Sequence, residues 1–500
     1  MTTGSHILLI YPPDREEFIT PETPPLGLAY LASFLKSQTE ESCKVSILDL
    51  NINRITKEEF RECLLRLDEK PDIVGIGGIV TVFNHFLWMS KICKEIFPDS
   101  LLVAGGSLAS TVPHLLFRHS PVDVCVKGEG EFTLLEIMNN LKRGADKGDM
   151  RHIKGLFLWD KEKDSLAETG PRPRAPDLDI FGMPAYDLLD VEQYAANGIM
   201  NLKRSGQNFS PHILSADNLH MTVISSRGCV GGCTFCYRQF SKIGMNSTDF
   251  LKRHLMFLYN QFGINIVSFV DELFNISQQR LNDMYSCLRE IKERIPNFHF
   301  RIAARADLIN VEFLRKLKEA GCFQIIYGLE SGSPKILRMM KKRITVEQNR
   351  SAVIAARDAG LHCAPQFIVG LPGETRETLI ETINFIKSVD FWPLLSIHKA
   401  NAYPGTEVYQ DAKNKGLIND EFAYVSSLAG TGQYPLQLAE MHPKEMMGIL
   451  RKYLIMRQVR LIFKNTNYLI GVYALLIWIT KVAWLRLKKG MKCRHLSLQR

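Results

Sequence analysis

Several common signals are missing from this 500-residue chain. The N-terminus has no basic segment followed by a long apolar core, so we expect no secretory signal there. An uncharged run near the C-terminus, residues 468–480, has thirteen residues, whereas a membrane-spanning helix needs about 20. No part of the chain has the composition of a disordered region. Because the length exceeds what one hydrophobic core usually covers, we expect two or three domains.

Closely spaced cysteines are also rare. Most of the 11 cysteines stand alone, mainly inside apolar runs, which is typical of buried thiols rather than ligands. These eight are Cys43, Cys63, Cys93, Cys125, Cys287, Cys322, Cys363 and Cys493. Unpaired cysteines favour a reducing compartment, so we expect a cytoplasmic protein.

One group of cysteines is the exception. Cys229, Cys233 and Cys236 have the spacing C-x3-C-x2-C, and neither His220 nor His254 has the paired spacing expected of a zinc knuckle. Structural zinc sites and simple electron-transfer clusters normally have four protein ligands. Three thiolates therefore indicate a metal centre with one position open for another molecule. A zinc knuckle is the alternative, and the ligand number favours an iron–sulfur cluster.

The residues around these cysteines support a cluster. A β-branched run, residues 221–226, enters the loop as a strand would, and glycines 228, 231 and 232 let the backbone fold closely around a bulky group. With Phe235 before the last cysteine, the loop resembles the cluster motif of the radical S-adenosylmethionine (SAM) enzymes. The resemblance implies a 4Fe-4S cluster whose fourth iron binds the amino and carboxylate groups of SAM. One electron then cleaves SAM to a 5′-deoxyadenosyl radical.

The first part of the chain alternates short apolar runs with helical patterns. Strands are predicted at 6–11, 45–50, 73–77, 101–106 and within 122–131, and helices near 24–35, 57–68 and 82–97. Short apolar strands separated by helices predict a parallel sheet covered on both faces. We therefore expect an α/β, doubly wound, Rossmann-like domain.

Small-residue turns follow three of these strands, at 75–78, 105–107 and 128–131, where doubly wound folds bind their ligands. Ahead of a radical SAM core, and with its Pro-Pro-Leu-Gly-Leu-Ala-Tyr-Leu opening, this segment resembles the cobalamin (B12)-binding domain of the B12-dependent subclass. The resemblance implies cobalamin contacts from Gly77, Gly105, Gly106, Ser107, Gly128 and Glu129. The Asp-x-His-x-x-Gly loop that supplies a lower cobalt ligand in many B12 domains is replaced by Asp14-Arg15-Glu16-Glu17. Members of the radical subclass often lack this histidine too.

The second part of the chain alternates again and predicts six strands, which suits a (β/α)6 partial TIM barrel. Catalytic groups in barrels project from the carboxyl ends of strands. The candidates there are Asp271, Glu272, Arg305, Glu330 and Ser331, although structural ion pairs or helix caps would explain each one singly.

The family resemblance assigns roles to some of these residues. Arg305, Glu330 and Ser331 resemble residues that hold the ribose and methionine ends of SAM. Residues 367–374 resemble the adenine-contacting motif Gly-x-Ile-x-Gly-x-x-Glu, with Gln366 at its first glycine and the glutamate one residue late, and Ile368 is the expected contact.

Four regions follow. Residues 1–145 are predicted as the cobalamin-binding domain, 146–218 as a linker, 219–410 as the radical SAM core and 411–500 as a helical, basic and hydrophobic extension. Residues 451–500 contain twelve Lys and Arg and no acidic residue, against a net charge of +9 for the whole chain. The preceding 450 residues therefore carry about −3. We expect a tail helix on an anionic membrane surface, or one that packs on the barrel with a solvated basic face.

Three functions remain open at this stage. The first is methylation of an unactivated carbon, and the second is oxidative cyclisation with the same cofactors, as in the anaerobic magnesium-protoporphyrin ester cyclase group. The third is a noncatalytic metal-binding scaffold. The resemblance implies an external electron donor such as flavodoxin or ferredoxin and a small-molecule substrate, lipid-like if the tail binds membrane. No nucleic-acid module accompanies the basic tail, and no RNA partner is expected.

Overall fold

Five parallel strands make up most of the first sheet, and the four that are not at its edge are short apolar runs with buried middles. The five are β1 (Ser5–Tyr11), β2 (Cys43–Asp49), β3 (Ile73–Gly77), β4 (Leu101–Gly105) and β5 (Val124–Val126). Their order is β2-β1-β3-β4-β5, and Ile7 is paired with Val45 on one side and Ile73 on the other. The order reverses between β1 and β3, which is where ligands bind in such sheets. The predicted doubly wound sheet is confirmed.

The structure is a computed structural model, and it describes residues 5–13, 20–39, 43–144, 150–205, 209–307, 310–389, 395–428 and 435–464, with no side chains after residue 460. The loop residues 14–17 and the tail residues 468–489, both interpreted above, lie outside the described residues.

Helices cover both faces of the first sheet. They are α1 (Leu26–Gln38), α2 (Leu50–Asn53), α3 (Lys57–Leu65), α4 (Phe83–Ile96), α5 (Gly106–Thr111), α6 (Pro113–His119) and α7 (Glu131–Lys142). Leu28 of α1 and Leu134 of α7 join Ile7 in one buried cluster, while Phe83 of α4 joins Leu8 in another. Alternate residues of β1 therefore fill two separate layers.

The stretch predicted as a linker has regular structure. Strand β6 (Leu156–Asp160) pairs antiparallel with β5, and β7 (Ser165–Glu168) pairs antiparallel with β6, so the first sheet has seven strands. Helix α8 (Val191–Arg204) follows and is capped by the Asp190 carboxylate, which accepts from the Gln193 amide at 3.1 Å. This part of the chain joins the two domains through packed elements.

A second sheet of six parallel strands follows. Its strands are β8 (His220–Val223), β11 (Ile266–Phe269), β12 (His299–Ala304), β13 (Cys322–Glu330), β14 (His362–Val369) and β15 (Ser396–Lys399), in this order. Two short strands, β9 (Ser226–Arg227) and β10 (Gly244–Met245), pair antiparallel and enclose the cysteine loop. The predicted six-stranded partial barrel is confirmed.

Helices alternate with these strands. They are α9 (Thr248–Phe262), α10 (Gln278–Arg294), α11 (Val311–Glu319), α12 (Pro334–Met339), α13 (Val346–Asp358) and α14 (Arg376–Val389). Side-chain caps fix several of their starts, such as Ser247 before α9 and Thr345 before α13. The C-terminal helices are α15 (Glu407–Asn414), α16 (Glu421–Ser427) and α17 (Pro443–Lys464). Among the described helices, none combines the length and the apolar character needed to cross a bilayer.

Candidate active site

The cysteine loop lies between β9 and β10, at the carboxyl end of the barrel's first strand. The Cys229 amide donates to the Phe240 carbonyl at 3.2 Å, and the Cys236 amide donates to the Cys233 carbonyl at 3.3 Å. The three thiols have no disulfide partner. Loss of hydration, followed by repulsion from Cys233 and Cys229, raises the pKa of the Cys236 thiol to about 11. A bound cation would stabilise the Cys236 thiolate.

The loop backbone fits a cluster at one glycine. A methyl group built onto Gly231 would lie 3.2 Å from the Cys229 Sγ and 3.9 Å from the Cys233 Sγ. The space next to both sulfurs is therefore open only because residue 231 has no side chain. Among the described residues, no three His, Cys, Asp or Glu side chains converge on the position of a single metal ion. The assignment of Cys229, Cys233 and Cys236 as cluster ligands stays a prediction.

The predicted SAM residues lie beside this loop. The Arg305 Nη1 is 3.8 Å from the methyl position on Gly231, and its guanidinium forks onto Asp307 with distances of 3.1 and 2.8 Å. Glu330 ends β13 with a φ of 61°, and its Oε1 accepts from the Lys342 Nζ at 2.7 Å. Both side chains of this pair are 9% exposed, so the ion pair is buried.

Lys342 and Asp307 are site residues that the sequence did not indicate. Lys342 lies in a basic run after α12, where a solvated surface is the ordinary expectation, and it pairs with a residue twelve positions earlier. The Lys342 carbonyl also accepts from the Arg305 Nη2 at 3.1 Å. One short segment therefore connects two of the predicted SAM contacts.

The other two predicted SAM residues are placed differently. The Ser331 hydroxyl is fully buried, contacts the Thr382 Oγ1 at 3.0 Å and accepts from the Ser333 amide at 3.0 Å. Its side chain is thus engaged within the protein. Ile368 is a half-buried residue of β14.

The loop after β14 holds a buried carboxyl group. Glu374 accepts from the Gly370 amide through Oε2, while its Oε1 is buried without a partner in the described structure. Burial raises the pKa of Glu374 to about 7. An unpartnered buried acceptor here is a contact that a bound polar ligand can satisfy.

The two acidic candidates at the end of β11 have distinct surroundings. The Asp271 carboxylate accepts from the amides of Ser225 and Ser226 at 2.6 and 3.1 Å, and burial raises its pKa to about 6. Asp271 therefore supports the entry to the cysteine loop. Glu272 instead lines the cavity described next, and burial raises its pKa as well.

A cavity of about 530 Å³ opens at the carboxyl edge of the first sheet. All six residues predicted for cobalamin line it: Gly77, Gly105, Gly106, Ser107, Gly128 and Glu129. Gly106 has a φ of 76°, and a methyl group there would lie 2.4 Å from the Gly78 carbonyl oxygen, so only glycine fits. At this turn the floor is thus bare backbone, which lets a large flat ligand approach closely.

The opposite wall of the cavity belongs to the second domain. It includes Arg227, Tyr237, Gln239 and Phe240 of the cysteine loop together with Glu272. The Gln239 Nε2 donates to the Gly128 carbonyl at 2.7 Å, so the two walls of the cavity are joined at this point. The cavity is therefore enclosed between the switch point of the first sheet and the loop that carries the three cysteines.

Comparisons with known proteins agree with this geometry. The Radical SAM superfamily model matches residues 223–386, and the B12 binding domain model matches residues 19–138. An uncharacterized methyltransferase, PH0819 of Pyrococcus horikoshii, is 32% identical over 420 residues, which cover 82% of this chain and 84% of that protein. The chain belongs to the radical SAM superfamily. It is a cobalamin-dependent member whose cofactors are a 4Fe-4S cluster, SAM and cobalamin.

Two further matches cover most of the chain. The anaerobic magnesium-protoporphyrin IX monomethyl ester cyclase of Rubrivivax gelatinosus is 26% identical over 403 residues, covering 79% of this chain and 68% of that enzyme. The structure of the radical SAM methyltransferase TsrM from Kitasatospora setae, with cobalamin and a 4Fe-4S cluster bound, superposes with a TM-score of 0.63. It covers 82% of this chain and 75% of TsrM at 19% identity, so it supports the fold.

Proposed function

We propose that this radical SAM enzyme methylates an unactivated carbon of its substrate. One SAM supplies the methyl group and leaves as S-adenosylhomocysteine. A second SAM accepts one electron, removes a hydrogen atom from the substrate and leaves as methionine and 5′-deoxyadenosine. The donor supplies a second electron as well, so that two SAM cations and two electrons give neutral products. When bound, the cluster supplies the cleaving electron, and cobalamin carries the methyl group between SAM and the substrate.

The observation that carries this proposal is the shared wall between cavity and cysteine loop. Methyl transfer needs the carrier close to the carbon from which hydrogen is removed. Gly77, Gly105 and Gly106 would hold the carrier from below, while Cys229, Cys233 and Cys236 would hold the cluster above it. Glu330 would accept from the ribose hydroxyls of SAM, and Arg305 would donate to the carboxylate at the methionine end of SAM.

The test is an anaerobic assay with [methyl-13C]SAM, a low-potential reductant and a metabolite and lipid extract. We expect equal amounts of 5′-deoxyadenosine and S-adenosylhomocysteine, with a 13C-methylated product. The triple variant C229A/C233A/C236A should form none of them, whereas C63A, a cysteine outside the site, should behave as the wild type. A cyclised product with 5′-deoxyadenosine alone would support the cyclase alternative, which the Rubrivivax relative motivates. If SAM were not cleaved at all, the noncatalytic metal-binding scaffold would be the remaining function.

An external flavodoxin or ferredoxin is the electron donor that we propose. Val230, in the same loop as the three cysteines, is 61% exposed. An electron carrier of this kind can therefore approach the cluster from the solvent side of the loop.

We also propose that the C-terminal end binds an anionic lipid surface. The exposed apolar residues Met447, Leu454 and Ile455 lie on α17, next to the basic residues Arg451 and Lys452. Such a helix binds through buried apolar area and attraction to anionic headgroups. A lipid-like substrate would then be delivered in the membrane.

Flotation with phosphatidylglycerol vesicles tests the membrane proposal. The wild type should float, and R486Q/K488Q/K489Q should lose at least half of its recovery, since each basic residue contributes about 1 kcal/mol near such a surface. The control K154Q/K161Q/K163Q removes the same charge from the exposed N-terminal half. Equal recovery of all three proteins would remove the proposal.

A further inference from the structure

Two buried arginines connect the cobalamin-binding domain to the cysteine loop. Arg227 is the last residue of β9, two positions before Cys229. Its Nη1 lies 2.7 Å from the Glu131 Oε1, and the two side chains are only 16% and 4% exposed. The guanidinium also lies against the rings of Tyr30 and Phe181, at 4.9 and 5.1 Å from their centroids.

Arg174 makes the second connection, from the segment between the domains. Its Nε lies 3.3 Å from the Glu129 Oε1, and its Nη2 donates to the Arg227 carbonyl at 2.5 Å. The guanidinium stacks on the Phe240 ring at 4.2 Å. One side chain thus contacts the closing turn of the first domain and both ends of the cysteine loop.

The backbone of the loop is shaped around Arg174. Gly228 has a φ of 97°, and a methyl group there would lie 2.6 Å from the Arg174 Nη1 and 2.4 Å from the Lys242 carbonyl oxygen. The Phe240 carbonyl accepts from the Cys229 amide, so the ring under Arg174 belongs to the residue that anchors the first cysteine. A shift of Arg174 would therefore be transmitted to Cys229.

The four charged residues also face the cavity or its edge. Glu129, Glu131 and Arg227 line it, and the Glu129 Oε2 accepts from the Ala175 amide at 3.2 Å. Two carboxylates and two guanidiniums balance in charge, and removing one partner would leave a buried charge unpaired. We call Glu129, Glu131, Arg174 and Arg227 the clamp.

We propose that the clamp couples filling of the cavity to the arrangement of the cysteine loop, with Arg174 and Arg227 as positioning residues. This inference rests on the proposed function, which places cobalamin in the cavity and a cluster on the loop. A cluster fixes the loop, the loop fixes the two arginines, and the arginines fix the turn at 128–131 that borders the cavity. By linkage, each cofactor then raises the affinity for the other by the same factor.

The test measures the affinity for hydroxocobalamin in cluster-free and cluster-loaded protein, by anaerobic equilibrium dialysis with cobalt quantification. We expect the wild type to bind about tenfold more tightly when the cluster is present, within the usual range of coupling between sites. R174K keeps the positive charge, but an ammonium group cannot reach Glu129 and the Arg227 carbonyl in the way a guanidinium does. E129Q keeps the size of the side chain and removes its negative charge. Both should reduce the ratio to about one while retaining wild-type iron content. R174K should also keep the wild-type thermal unfolding temperature, whereas E129Q, which leaves a buried charge unpaired, should lower it.

A matched control lies two residues earlier in the chain. Arg172 makes a bidentate pair with Glu136 at 2.9 and 2.6 Å on the surface of the first domain, so R172K should keep the tenfold ratio. A ratio of one in the wild type, or a full ratio in both R174K and E129Q, overturns the clamp. If the wild type methylates its substrate but either of these outcomes is found, the clamp is wrong and the proposed function is still supported. A wild type that binds no hydroxocobalamin in either form overturns both.

Discussion

The three glycines of the cysteine loop differ in what surrounds them. Gly228 has a positive φ and is crowded by the Lys242 carbonyl and by Arg174. Gly231 faces the sulfurs of Cys229 and Cys233, whereas a methyl group on Gly232 would meet nothing within 4 Å. Only the first two are therefore required by their contacts.

This difference predicts the behaviour of two alanine variants. G231A places a methyl group 3.2 Å from the Cys229 Sγ, so the sulfur must move. We expect the reconstituted cluster to lose iron to a chelator about tenfold faster, a typical effect of disturbing the surroundings of metal ligands. G232A is the control and should match the wild type. Equal iron loss from both variants would show that Gly231 does not border the cluster.

Individual residues also show how far the sequence could be interpreted. Spacing alone indicated the three cysteines, and glycines after buried strands indicated the cavity floor. The clamp arginines could not be found in this way because Arg227 and Glu131 are 96 residues apart, and Arg174 and Glu129 are 45 apart. Charged residues are common in any segment, and only the packing of two domains shows which ones meet.

Among the elements, α16 is held to α6 and α15 by one carboxylate. Glu421 lies 3.1 Å from the His114 Nε2 and 3.0 Å from the Lys413 Nζ, and it accepts from the Tyr409 hydroxyl at 2.5 Å. The hydrogen bond from His114, with those from Tyr409 and Lys413, lowers the pKa of Glu421 to about 2. Helices α15 and α16 are thereby fixed to the first domain.

The lowered pKa sets the direction of a pH effect. A carboxyl group with a folded pKa near 2 and an unfolded pKa of 4.5 stabilises the fold above pH 4.5, and this contribution disappears as the pH falls towards 2. In urea unfolding, E421Q should cost about 2 kcal/mol at pH 7 and less than half of that at pH 3. E407Q, whose partner Lys341 is exposed, should cost less than about 1 kcal/mol. A pH-independent deficit for E421Q would contradict this account.

The hairpin of β6 and β7 could not be predicted from the sequence. The inner strands of both sheets were found because burial on both faces leaves a run of apolar residues. β7 is a four-residue edge strand with exposed ends, so its sequence has the charges and small residues of a loop. Its pairing depends on β5 and β6, which no local pattern shows.

At the level of the whole molecule, the two domains share their interior. One buried cluster runs from Leu8 in the first sheet to Phe300 and Phe367 in the second. A polar contact crosses the same boundary, since Arg301 of β12 lies 3.3 Å from Glu22. The segment between the domains is tied to the first sheet as well, because the Tyr194 hydroxyl of α8 donates to Asp49 at 2.7 Å. We therefore expect the two sheets to unfold together.

Hydrogen exchange with and without hydroxocobalamin can test this cooperativity. At a free concentration of 100 times the dissociation constant, a ligand stabilises the native state by about 2.7 kcal/mol, which slows exchange through global unfolding by about 100-fold. If the sheets unfold as one unit, the buried amides of β12 and β13 slow as much as those of β1 and β3, although the second domain borders the cavity through the cysteine loop and Glu272 and not through these two strands. The edge strand β7, which has exposed ends, is expected to open locally, so it serves as the internal control and should change little. Slowing confined to the first sheet would mean that the shared core does not couple the domains, and that cobalamin stabilises only the domain that binds it.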